Sequence, residues 1–189
     1  MWEIDTWVNS SHVYLDGVFS DDELDAILKL GAACDKTAGV TFSGKDNYRK
    51  SNISWLHPNA DTAFMYIRIE NAIKAINSEF FKFDLSLIES LQFTEYDSAY
   101  GGEYKAHLDL GKSEVASRKL SFSIQLTDPA EYEGGELAIY MGDLDNPEIC
   151  KKERGTMVAF PSTMLHAVKP VTSGKRQALV GWIRGPRFR

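Results

Sequence analysis

The stretch Tyr104-Lys105-Ala106-His107-Leu108-Asp109 places an imidazole and a carboxylate two positions apart. In a β-strand, residues i and i+2 point to the same face, so one strand end would present both groups side by side. A second imidazole, His166, follows the run Pro161-Ser162-Thr163-Met164-Leu165. Two imidazoles and one carboxylate on one side of a metal form a facial triad, a donor set that suits Fe(II) and leaves the opposite positions open. The histidines are His12, His57, His107 and His166, and only the last two fall in strand-like contexts. Arg176 follows ten positions after His166. A guanidinium deep in a β-structure is unfavourable without an anion. A dicarboxylate would supply one, gripped through two parallel hydrogen bonds.

Such groups need strands to carry them. Arg118 to Thr127 alternates strongly, with Leu120, Phe122, Ile124 and Leu126 on one face and Ser121, Ser123 and Gln125 on the other. Strands are also expected over residues 87–96, 104–110, 136–141, 156–160, 165–171 and 177–184, the last two joined at Ser173-Gly174. The first half of the chain reads differently. Val13-Tyr14-Leu15 is a short strand, turned at Asp16-Gly17. Ser20-Asp21-Asp22-Glu23 is a capping box, and the helix behind it carries Leu24, Ile27, Leu28 and Ala32 on one stripe. Thr37 to Lys50 reads as loop or hairpin and Asn52 to Leu56 as a strand. Pro58 then opens a helix over about residues 59–77, with Phe64, Ile67, Ala72, Ile73 and Ile76 inward and a Glu70–Lys74 pair outside. Helices followed by short strands at close spacing predict an α+β, mainly-β fold. The expected core is a double-stranded β-helix, a cupin-like jelly roll braced by the N-terminal helices. Residues 1–189 read as one domain, with 1–84 as helical support and 85–189 as the core.

Composition limits the function classes. The apolar share of 43% and charged share of 25% are ordinary for a globular chain of 189 residues. A formal net charge of −6 argues against a nucleic-acid partner, which needs a basic face. Arg184, Arg187 and Arg189 read as a solvated tail. Cys34 and Cys150 lie in no paired spacing and are expected as free thiols. The N-terminus shows no secretory pattern, and no apolar run reaches bilayer length, so a cytoplasmic protein without a membrane partner is expected.

Taken together, Tyr104-x-x-His107-x-Asp109, Gly134-Gly135-Glu136-Leu137, His166-x-Val168-x-Pro170-Val171-x-x-Gly174-x-Arg176 and the closing Trp182 resemble the Fe(II)/2-oxoglutarate dioxygenases. Within these they look most like the prolyl 4-hydroxylase branch, including its small bacterial and viral members. The resemblance covers about residues 87–183 well and the N-terminal half loosely. It implies Fe(II), 2-oxoglutarate and O2 as cofactors and cosubstrates, with ascorbate as a reductant. His107, Asp109 and His166 would ligate the metal. Arg176 and Tyr96 would hold the distal carboxylate of 2-oxoglutarate, and Leu137 would line its pocket. Tyr104, Arg118, Trp182, Arg49, Ser51 and Trp55 fall where that branch touches peptide, and Thr37 to Ser51 resembles its substrate-closing segment. Arg184 stands where plant- and alga-like members often carry His. The expected reaction is hydroxylation of an unactivated C–H, with a prolyl residue of a peptide or protein as the leading substrate, releasing succinate and CO2. A retained carboxylate at Asp109 favours hydroxylation over halogenation. A small-molecule or free amino-acid hydroxylase, a nucleic-acid demethylase and a non-catalytic jelly-roll binding module are the competing readings.

Overall fold

Alternation along the strands sets two faces, and the two faces set the layers. The computed structural model describes residues 11–39 and 48–187. In chain order the elements are β1 (Val13–Leu15), α1 (Asp21–Ala33), β2 (Thr37–Ala38), β3 (Arg49–Lys50), β4 (Asn52–Leu56), α2 (Ala63–Ile76), β5 (Leu87–Ile88), β6 (Leu91–Asp97) and β7 (Glu103–His107). They continue with β8 (Arg118–Gln125), β9 (Tyr132–Gly134), β10 (Leu137–Tyr140), β11 (Glu148–Ile149), β12 (Met157–Pro161), β13 (Leu165–Val168) and β14 (Val171–Arg184). A nine-stranded sheet has the order β1-β12-β8-β14-β6-β4-β2, with β5 and β9 also pairing β14. A five-stranded sheet has the order β11-β10-β13-β7-β3. The sheets face each other as a jelly roll, and the helices cover the outer face of the larger one.

The apolar sides of the central strands fill a large core against α1 and α2. Leu120, Phe122 and Ile124 of β8, Leu91 and Phe93 of β6 and Leu179 and Ile183 of β14 meet Leu24 and Ile27 of α1 and Met65, Ile69 and Ile73 of α2. A smaller cluster of Tyr96, Leu137, Ile139, Cys150, Val158, Phe160, Val168 and Val171 draws on strands of both sheets. Burying a side chain such as Leu or Phe contributes about 1.5–3 kcal/mol, so the helices are held mainly by this packing.

The capping box is present: the Ser20 hydroxyl accepts from Glu23 N–H, and Glu23 accepts from Ser20 N–H. Other expectations shift. In α1, Gly31 is buried and Ala32 is exposed, because α1 packs so close that a Cβ on Gly31 would sit 2.3 Å from the Phe93 ring. In α2, Met65 and Ile69 are buried while Ile67 is 59% exposed, so the inward stripe lies in a different phase. That helix begins at Ala63 rather than near Asn59, because the Asn59 side chain accepts from Asp61 and Thr62 N–H and forms a turn instead. The expected joint at Ser173-Gly174 is no joint. β14 runs unbroken from Val171 to Arg184, and Val171 opposite Gly134 continues the register of Val168 opposite Leu137, so the chain passes through Lys169-Pro170 from the small sheet to the large one without reversing. The closing segment expected over Thr37 to Ser51 falls mostly on residues 40–47, outside the described residues, while its flanks join the sheets as β2 and β3. Both cysteines are free. Among the described residues no helix is long and apolar enough to cross a membrane.

Candidate active site

The second face of the large sheet is buried but polar. Ser121, Ser123 and Gln125 of β8 and Gln92 and Thr94 of β6 are each buried, and they look across to the small sheet. A cleft of about 730 Å3 opens there.

His107 closes β7, and His166 sits opposite it in β13, with a register shift just beyond. Their ring centroids are 4.2 Å apart. Asp109 lies past the end of β7, not within the expected strand, and its N–H donates to Ser162 O at 3.2 Å. This anchor still turns the carboxylate toward both rings: Oδ1 is 3.7 Å from His107 Nε2 and Oδ2 is 3.5 Å from His166 Nε2. Ligand atoms from the three residues lie within 4.8 Å of one another.

The protonation pattern suits a cation. His107 Nδ1 contacts Lys105 O at 2.8 Å and His166 Nδ1 contacts Met164 O at 2.9 Å. A carbonyl only accepts, so each Nδ1 carries the proton and each Nε2 lone pair faces the centre. Burial, followed by the His166 charge, pushes His107 down to about 3, so the ring is neutral at physiological pH. Burial alone would raise the Asp109 carboxyl. Interactions with the neighbouring His166 and His107 imidazoles and with the Ser121 hydroxyl outweigh it and hold the carboxyl below its ordinary range. Ser121 donates to Asp109 Oδ2 at 2.7 Å. Two imidazoles with their Nε2 atoms turned inward and a carboxylate held ionised, converging at the head of a cleft, fit a divalent metal.

Arg176 of β14 is 4% exposed and lines the same cleft. It stands opposite Tyr96 of β6, with its guanidinium carbon 5.7 Å from the Tyr96 ring centroid. Among the described residues no carboxylate pairs with it. A buried, uncompensated guanidinium requires an anionic ligand. Leu137 is buried and lines the cleft nearby.

The residues matched to peptide contacts line the rest of the cleft, apart from Ser51. Tyr104 stacks on His107 with centroids 3.5 Å apart, and the Arg49 guanidinium lies over its other side at 4.6 Å. Burial pushes the Tyr104 phenol up to about 12. Arg49 donates to Ser51 Oγ at 2.7 Å and Gln92 Oε1 at 2.8 Å, so Ser51 positions Arg49. Trp55 packs beside Trp182 with centroids 6.3 Å apart. The Trp182 indole N–H is buried beside Asp109 but outside hydrogen-bond geometry. Arg118 lies over Trp182 at 3.9 Å, and both its Nε and Nη2 donate to Glu89. Sequence reasoning missed Ser121, Gln92 and Glu89 as site residues. The polar row of β8 was a usable signal for Ser121, since polar residues alternating with a strongly apolar row face a second environment. Nothing local marks Glu89.

Residues 91–184 match the model of the 2OG-Fe(II) oxygenase superfamily, and the three candidate ligands fall inside that span. The chain belongs to that superfamily. A PKHD-type hydroxylase of Prochlorococcus marinus is 37% identical over 124 residues, covering 62% of this chain and 54% of that protein. The chain thus spans about half the length of the curated relatives it matches. Among solved structures, a Pseudomonas putida prolyl-4-hydroxylase superposes with a TM-score of 0.75 at 21% identity, covering 93% of both chains. A Trichoplax adhaerens prolyl hydroxylase in complex with a hypoxia inducible factor peptide fragment gives a TM-score of 0.77 at 16% identity, covering 93% of this chain and 84% of that one. At these identities the structural matches establish the jelly-roll fold alone.

Proposed function

We propose that this 2OG-Fe(II) oxygenase hydroxylates an unactivated C–H on a prolyl residue of a peptide or protein, converting 2-oxoglutarate and O2 to succinate and CO2. One observation carries the reading: a convergent His107–Asp109–His166 donor set shares a cleft with a buried guanidinium that lacks an acidic partner among the described residues. Bound Fe(II) supplies O2 activation coupled to oxidative decarboxylation. The protein residues supply the rest. Lys105 O and Met164 O lock the two imidazoles with Nε2 inward. Ser121 orients Asp109. Arg176 takes the distal carboxylate of 2-oxoglutarate in a water-poor setting, aided by Tyr96 and walled by Leu137. Tyr104, Trp55, Trp182, Arg118 and Arg49, the last braced by Ser51, form the wall along which a peptide lies. The prolyl hydroxylases among the structural neighbours support a prolyl target, one of them in complex with a peptide fragment. Ascorbate is the external reductant in this reading. Residues 1–84 serve as support for a core of residues 85–189 within one domain.

The test is succinate release by the purified chain with Fe(II) and 2-oxoglutarate, with and without proline-rich peptides, and mass spectrometry for one added oxygen atom. Peptide-stimulated succinate with hydroxyproline in the product is expected. Turnover on free proline alone would replace the peptide reading with a small-molecule one. Complete absence of iron-dependent succinate would leave a binding module.

A further inference from the structure

At the mouth of the cleft two guanidinium groups share one carboxylate. Arg176 and Arg184 lie on the same face of β14, eight residues apart, which at roughly 3.3 Å per residue separates them by about 26 Å. Trp182 lies between them. Glu89 accepts from Arg118 Nε at 2.9 Å and Nη2 at 2.7 Å, and from Arg184 Nε at 2.7 Å. Burial would raise Glu89, but the hydrogen bonds and charges of Arg118 and Arg184 outweigh it and keep the carboxyl below its ordinary range. One carboxylate between two guanidinium groups leaves one positive charge, which among the described residues only the exposed Glu114 meets. Arg118 is already committed. Besides Glu89 it reaches Asp109 O at 3.3 Å, and its flat face covers Trp182.

Arg184 has a loosely held edge. Its Nη1 and Nη2 both lie 3.5 Å from the single oxygen Glu114 Oε2. Charge-assisted N–H···O bonds normally measure about 2.7–2.9 Å, so this contact is loose. The Glu114 side chain is 82% exposed, against 23% for Arg184. Glu114 stands on the short helical turn Ser113–Ser117, entered through Ser113 at φ 60, a left-handed conformation that a residue other than glycine adopts with strain. Glu89, Glu114, Arg118, Trp182 and Arg184 all line the cleft that holds the metal ligands, and Lys112 adds a further cation to its lining.

We infer that the outer edge of Arg184 is a carboxylate-binding subsite, which selects acidic peptides, and that Glu114 stands in for the substrate carboxylate until one arrives. The inference rests on the hydroxylase reading for what enters the cleft. A planar fork with both Nη groups turned the same way suits two parallel hydrogen bonds to one carboxylate. Glu89 holds that fork by its Nε, so the edge is presented in a fixed direction. Glu114 gives up only a long, solvated contact when displaced, and exposed pairs of that kind are weak.

The test uses the full chain loaded with Mn(II) and 2-oxoglutarate, so that binding is read without turnover. Two single-residue probes are N-acetylglutamate amide and N-acetylglutamine amide. Two capped proline peptides differ only in Glu or Gln beside the proline, and a third carries its sole carboxylate at an uncapped C-terminus. Dissociation constants are measured for wild type, Arg184→Gln, Arg184→Lys and Glu114→Gln, with thermal unfolding to report folding. Wild type is expected to bind each acidic probe at least about tenfold tighter than its amide twin, about 1.4 kcal/mol. Arg184→Gln should erase that preference, and Arg184→Lys should keep part of it. Glu114→Gln should tighten the acidic probes severalfold and leave the amides unchanged. The peptide that gains most separates a side-chain carboxylate from a terminal one. Equal binding of acid and amide by wild type, or a preference that survives Arg184→Gln, overturns the inference. If Arg184→Gln does not fold, Glu114→Gln decides: unchanged acid affinity there overturns it. The single-residue pair reports on the subsite even if no proline peptide binds, a result that overturns the peptide reading alone.

Discussion

The two faces of the large sheet are equally buried and chemically opposite. On β8, Leu120, Phe122 and Ile124 meet the helices, while Ser121 and Ser123 face the cleft from the same five-residue stretch. On β6, Leu91 and Phe93 point one way and Gln92 and Thr94 the other. The helix side is dry, and its value is the area it removes from water. The cleft side is also shielded, but its polar strand residues find partners: Ser121 with Asp109 and Ser162, Gln92 with Arg49 and Thr94. Burial therefore does not separate scaffold from site. The character of what is buried does, because a sequestered polar row is costly unless each member has a partner.

The comparison breaks most sharply at the metal ligands. His107→Ala, Asp109→Ala and His166→Ala should each abolish Fe(II)-dependent succinate formation and lower the bound iron, while the unfolding midpoint stays near wild type. Iron analysis and calorimetry on the same samples check this, and near-normal turnover in either histidine variant would sink the ligand assignment. The opposite face should give the opposite split. Phe93 is 1% exposed and meets α1 at Gly31. Phe93→Ala should lose about 3–5 kcal/mol in urea unfolding. Its affinity for 2-oxoglutarate, measured well below the new midpoint, should hold.

Arg176→Ala tests the far end of the cleft. Leaving a ligand carboxylate unpaired there should weaken 2-oxoglutarate binding by about 2–5 kcal/mol, with iron binding retained. A loss smaller than about tenfold would mean that Arg176 is not the anchor. The smallest effect is a pH dependence on the helix-side row, where Glu95 follows Phe93. Burial would raise Glu95, but Lys36, Lys175 and Gln177 together hold it below 4.5. Its folded pKa is depressed, so the unfolded chain binds the proton more readily. The stabilisation is present above 4.5 and drains away as pH falls through that value toward the folded pKa. Glu95→Gln should flatten that part of the stability profile, and an unchanged slope would show that the ion pairs contribute nothing.

Much of this is legible in the order of residues alone. The β8 alternation, the Ser20–Glu23 capping box and the Glu70–Lys74 pair are short-range patterns, and all three are present in the fold. The phase of α2 is not legible. Ile67 and Met65 are similarly apolar, and only the surface that α2 lies against decides which of them is buried. Nor is the continuity of β14, since Gly174 reads locally as a turn and stays in the strand because β9 pairs with it.

The sequence by itself determined the donor types, the two-residue spacing of His107 and Asp109, and the strand periodicity that sorts side chains between two faces. These depend on covalent geometry and nearest neighbours. Only the tertiary structure decided that His166 pairs with His107 across β13 and β7, and that the Ser162 carbonyl turns Asp109 after its strand has ended. It also decided that Glu89, from the link between β5 and β6, meets Arg118 and Arg184. Those contacts join segments far apart in the chain. Their register is set by packing two sheets and two helices at once, and no local pattern of residues encodes it.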